Sequence, residues 1–95
     1  MYAVIFKATF GELDQEYEFL GPELRQIAEA EYGCIEFVAV ATASEEISIS
    51  YWPDLESIQA WKSDARHQAA MAKGRAKWYR GFSVQVVEVL NSREG

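Results

Sequence analysis

The sequence predicts a single α+β domain of six elements in the order β-α-β-β-α-β. Two observations carry this. Apolar residues alternate in four segments and recur at three- and four-residue spacing in two others, and Gly11, Gly33, Pro53 and Gly74 fall where these segments meet. At 95 residues the chain has room for one core and no separate second domain, so residues 1–95 read as one unit.

From Tyr2 to Phe10 the chain places Tyr2, Val4, Phe6, Ala8 and Phe10 on one face and Ala3, Ile5, Lys7 and Thr9 on the other. That is strand periodicity, ended by Gly11. Leu13, Tyr17, Leu20, Leu24, Ile27 and Ala28 then form the stripe of an amphipathic helix. Pro22 lacks a backbone donor and crowds the carbonyl of Glu18, so a kink or two short helices meeting there is expected. Gly33 suits a left-handed helix end.

Cys34–Ala43 reads as the second strand, Thr42–Glu45 as a short hairpin connection, and Glu46–Trp52 as the third strand. Pro53 stops that strand, and Asp54 is placed to cap a second helix. Leu55, Ile58, Trp61 or Lys62, Ala65, Ala69 and Ala72 give that helix its stripe up to Gly74. Phe82–Leu90 is the last strand, and Asn91–Gly95 a polar tail. This order is the ferredoxin-like split βαβ pattern, with two helices on one face of a four-stranded antiparallel sheet. Its other face carries too many apolar side chains to remain in water, so a homodimer with sheets packed face to face is expected.

A net charge of −6 argues against a nucleic-acid partner, because phosphate neutralisation needs a basic face. The charge is uneven. Between Trp61 and Arg80 six cations stand against Asp64 alone, a net +5 that leaves −11 on the rest of the chain. The lone cysteine, Cys34, has no partner for an internal disulfide. With a strand at the N-terminus and no apolar run of ~18 residues, a soluble cytoplasmic protein without a membrane partner is expected.

The chain has no GxGxxG, P-loop or CxxC pattern, and one histidine and one cysteine make a poor metal set. No metal and no cofactor are therefore expected. What stands out is aromatic clustering: Tyr51, Trp52, Trp61, Trp78, Tyr79 and Phe82 surround the single histidine, His67, in sequence. These can line a pocket for a small hydrophobic or aromatic ligand, or simply fill the core. A histidine titrates near neutrality, so His67 is the candidate base.

The stretch from Ser50 to Lys62, reading SYWPDLESIQAWK, followed by Arg66-His67, Ala70, Gly74-Arg75 and Trp78-Tyr79, resembles the antibiotic biosynthesis monooxygenase domain family, small bacterial branch. The resemblance implies a ferredoxin-like protomer in a dimeric α/β-barrel, with a pocket in each subunit. It further implies oxidation of phenols or quinols by O₂ without metal or flavin, or haem degradation. Haem-degrading members resemble one another in a first-strand asparagine, whereas this strand offers Phe6 and Lys7.

The expected function is thus a cofactor-independent monooxygenase acting on a small aromatic or quinol compound. His67 and Tyr79 are its catalytic candidates, and Tyr51, Trp52, Trp61, Arg75 and Trp78 its substrate contacts. Two rivals remain, a non-catalytic dimer that sequesters a hydrophobic metabolite and, less favoured, a haem binder. O₂ consumption separates the first from an enzyme, and a Soret shift on adding haemin reveals the second.

Overall fold

A computed structural model describes residues 1–95. Four strands, β1 (Tyr2–Phe10), β2 (Glu36–Ala41), β3 (Glu45–Trp52) and β4 (Tyr79–Glu88), form one antiparallel sheet in the order β2-β3-β1-β4. Three helices, α1 (Gln15–Glu31), α2 (Leu55–Lys62) and α3 (Ala65–Lys73), cover one side, and a single π-helical turn, Gly74–Trp78, leads into β4. The predicted ferredoxin-like fold is the one observed.

The first helix runs through Pro22 as one element, so of the two forms expected there the pair of short helices is not the one observed. Its start is fastened twice. Asp14 Oδ1 accepts from the backbone N–H of Tyr17 at 3.0 Å and from Trp78 Nε1 at 3.0 Å, while Lys77 Nζ meets Oδ2 at 3.0 Å. At its end Gly33 adopts φ +75°, and the N–H groups of Tyr32 and Cys34 both donate to the Ala28 carbonyl. Cys34 is spent on that turn, which is why β2 begins at Glu36 and not at Cys34.

The predicted second helix is in fact two, with a changed phase. Its chain breaks at Ser63–Asp64 because Asp64 caps a new helix, accepting from the N–H groups of Arg66 and His67. The break rotates α3 relative to α2. Ile58 and Trp61 remain buried, but the predicted Ala65, Ala69 and Ala72 face water and Ala70 is buried instead. Gly74 does not end the helix in a left-handed conformation; its φ is −57°, and the chain continues into the π turn. This extra turn delivers the chain to β4 early, so the strand begins at Tyr79, paired with Phe10 across a register shift.

The core is small. Trp52 is wholly buried and stacks on Trp61 at 6.5 Å, with Ala28, Cys34 and Ile58 around them. Tyr2, Val4, Leu24, Ile27, Tyr32 and Phe37 close its edges. No helix is long and apolar enough to cross a membrane.

Asp64 does more than cap. Tyr32 donates its hydroxyl to Oδ2 at 2.6 Å, and the Arg66 guanidinium bonds both carboxylate oxygens while gripping Glu31 at 2.9 and 3.1 Å. The end of α1 is thereby tied to the start of α3. Asp54 caps only its own helix, through Ser57 N–H at 2.7 Å. Asp64→Ala is expected to lower the thermal midpoint clearly more than Asp54→Ala, since it also strands the Tyr32 hydroxyl and the guanidinium. Equal losses in calorimetry would show that the long-range links contribute nothing.

Candidate active site

Strand β3 decides the character of the space between sheet and helices. Its cross-strand partners set Glu46, Ser48 and Ser50 on the helix side, beside Ala8, Phe6 and Val4 of β1 and Ala41, Ala39 and Phe37 of β2. Ile47, Ile49 and Tyr51 therefore face away. The helix-facing surface has a polar track between apolar neighbours, and above it lies a cavity of about 710 Å³ roofed by α1 and α3. That volume suits one small organic molecule.

His67 lines this cavity from the first turn of α3. Its ring lies flat on Trp61, with centroids 4.4 Å apart and planes within 9°. Nδ1 stands 3.2 Å from the Trp61 carbonyl oxygen, an acceptor, so this nitrogen carries the proton. Nε2 then has the lone pair and no partner within the protein. Burial lowers the pKa of His67 below 6.5, against the opposing pull of the Trp61 carbonyl and of Asp64. The ring is neutral at pH 7 and able to accept a proton at Nε2.

A second polar group lies at the other end of β3. Glu46 accepts from the Tyr79 hydroxyl at 3.1 Å, and both residues line the cavity with Tyr17. Desolvation, followed by the charge of Glu46, pushes the phenols of Tyr17 and Tyr79 far up. They keep their protons and act as donors. Tyr79 is thus placed in the cavity as a hydrogen-bond donor.

The ring of Tyr79 sits where Gly74 has no side chain. A Cβ at that position would come within 2.6 Å of the ring. Gly11 makes a comparable close approach, since a Cβ there would meet the Lys77 carbonyl oxygen at 2.8 Å and its own N–H donates to the Trp78 carbonyl at 2.7 Å. Gly11 seats the π turn against the end of β1, and Gly74 leaves room for the Tyr79 ring. Trp78 and Tyr79 reach the cavity as a result.

Of the residues singled out from sequence, the structure brings Trp61, His67, Trp78 and Tyr79 to this cavity. Trp52 lies outside its lining, buried in the core with its Nε1 donating to Ser50 Oγ at 2.9 Å. Tyr51 points to the opposite face of the sheet, as its alternation with Trp52 requires. Arg75 is exposed on the π turn and is not part of the lining. Sequence reasoning missed Tyr17, Glu46 and the two serines. The strict alternation of Glu46, Ser48 and Ser50 was the available signal, and it reads as a solvent face until the helices are known to cover it. No three His, Cys, Asp or Glu side chains converge in a metal-binding arrangement.

No family model matches the sequence. Over 93 residues it is 33% identical to the uncharacterized protein YqjZ of Bacillus subtilis (strain 168), covering 97% of this chain and 82% of that one. Among solved structures it is similar to SnoaB, a cofactor-independent oxygenase from Streptomyces nogalater, with a TM-score of 0.79 at 10% identity over 96% of this chain and 94% of SnoaB. Rv0793 from Mycobacterium tuberculosis matches with a TM-score of 0.75 at 15% identity, covering 97% of this chain and 99% of that one. An antibiotic biosynthesis monooxygenase matches at 0.73 and 15% identity, covering 96% of this chain and all of that one. The chain belongs to the family of B. subtilis YqjZ and has the fold of the antibiotic biosynthesis monooxygenases.

Proposed function

We propose that the chain works as a homodimer, binds a small aromatic compound in the cavity of each subunit and oxidises it with O₂ without metal or flavin. The observation that carries this reading is the state of His67. A neutral imidazole with Nδ1–H spent on a backbone carbonyl and Nε2 free is what a general base needs. A fold shared with an oxygenase described as cofactor-independent supports it.

A phenolic substrate gives its proton to Nε2, and the phenolate transfers one electron to O₂. The resulting radical and superoxide join to form a C–O bond, and the His67 proton returns to the peroxide. That carbon keeps its one hydrogen until water is lost and a carbonyl is left, so a ring C–H, the phenolic O–H and O₂ become two C=O groups and H₂O. The apolar walls favour this course by excluding water from the phenolate. The protein supplies a base and a dry volume, the substrate supplies the electrons and O₂ accepts them.

The dimer reading rests on the uncovered sheet face. It presents Ile5, Val38, Val40, Ile47, Ile49 and Val87, with Val40 64% exposed and Val38 44%. Apolar surface of this extent, contributed by all four strands, fits a second copy of the same sheet. Compartment is taken to be the cytoplasm, in keeping with a single buried thiol.

Three outcomes are expected. Light scattering should give about twice the 10.8 kDa chain mass, and Ile49→Glu should yield monomer; a wild-type monomer at micromolar concentration refutes the dimer. With a phenol or quinol panel and an oxygen electrode, His67→Ala should lower turnover by ~10²–10⁴-fold while the fold is kept. Binding without O₂ uptake in the wild type would instead establish the sequestering function. For pH, a lowered imidazole pKa keeps the base form down to below pH 6.5, so kcat/KM should fall only on the acid side of 6.5 and that limb should vanish in His67→Ala.

A further inference from the structure

Glu46 is a carboxylate within an aromatic wall, and no cation of the protein answers it. The two lysines that flank this end of the molecule are engaged elsewhere, Lys73 with Glu16 at 2.6 Å and Lys77 with Asp14 at 3.0 Å. Its one hydrogen bond comes from the Tyr79 hydroxyl, which leaves most of the acceptor capacity of a carboxylate unused. Half-buried anions of this kind are normally paired.

Access is built in. Across β3 the helix-side neighbour of Glu46 on β2 is the small, exposed Ala41, which lines the cavity beside it. Around that gap stand aromatic rings: Phe6 packs on Tyr79 at 5.3 Å and on Phe82 at 5.9 Å, and Tyr17 meets Tyr79 edge-on at 6.4 Å. A carboxylate among ring faces is the arrangement that holds an organic ammonium, through a charge-assisted hydrogen bond and attraction to the ring quadrupoles. A neutral or anionic group there forgoes both terms.

We propose that Glu46 is the anchor for a protonated amine, so that the ligand of this cavity is an apolar or aromatic body carrying a basic nitrogen. This rests on the cavity being the ligand site. The amine sits over Ala41 against Glu46, and the apolar body extends along the Ser48–Ser50 track toward Trp61 and His67. Four residues of strand, ~13 Å, separate Glu46 from Ser50, enough for a ring system and a short linker.

Calorimetric titration with 4-phenylbutylamine, its neutral isostere 4-phenylbutanol and 4-phenylbutyrate tests this on the wild type and on Glu46→Gln. The glutamine keeps an acceptor for Tyr79. The amine should bind wild type roughly tenfold or more tighter than the alcohol, as one charge-assisted hydrogen bond warrants, and the carboxylate weakest of all. In Glu46→Gln the amine and alcohol should converge. Equal affinities in the wild type overturn the anchor and leave the cavity reading standing, and an amine preference that survives Glu46→Gln also overturns it. If neither amine nor alcohol binds, the anchor and the cavity reading fall together. The wild-type comparison decides the matter even if Glu46→Gln does not fold.

Discussion

Asp64 holds the architecture at the point where its parts would otherwise separate. With 9% of its surface exposed, its carboxylate takes five hydrogen bonds, from two backbone N–H groups, two guanidinium nitrogens and the Tyr32 hydroxyl. These keep its pKa well below the usual carboxylate range, the Arg66 contact contributing most. Charge, cap and cross-link are one group. Because it starts α3, Asp64 fixes the turn on which His67 rides, and because it binds Tyr32 it fixes that turn relative to α1. The cavity between α1 and α3 inherits its width from this contact.

Asp14 performs the matching task at the other end. It caps α1 and receives Trp78 Nε1, so the π turn and the first helix are joined through one carboxylate. Two aspartates therefore frame a cavity whose walls are mostly apolar. Apolar contacts alone would fill such a space, as side chains relax toward native packing density. Fixed polar links at both ends oppose that collapse, and the cavity stays open with His67 near one link and Tyr79 near the other.

The sheet has two unlike faces, and the assignment of each is opposite to a simple expectation for β3. An alternating strand usually turns its apolar side toward the helices. Here Ser48 and Ser50 face the helices and Ile47 and Ile49 face outward. The inward serines make sense in a binding cavity, and the outward isoleucines in a surface that is covered by another sheet. Chemistry inside and association outside thus follow from one choice of strand parity.

The order of the strands, the first strand, the alternation of the first three strands and the apolar stripe of α1 were readable from residue spacing, because backbone geometry of period 2 or 3.6 is written locally. Gly33 ending a helix and Asp54 starting one are equally local. The aromatic cluster around His67 was visible as a neighbourhood in sequence, but its sorting was not: Trp61 and Trp78 reach the cavity, Trp52 goes to the core, and Tyr51 and Arg75 turn elsewhere. The break at Asp64 was hidden too, since its carboxylate is made a strong cap by Tyr32, half the domain away. Glu46 and Tyr17 join a site only when β3 is laid beneath α1 and the π turn brings up Tyr79. Such contacts between residues 33 and 62 positions apart are set by how faces pack, and packing depends on the sum of many weak contacts that no single segment encodes.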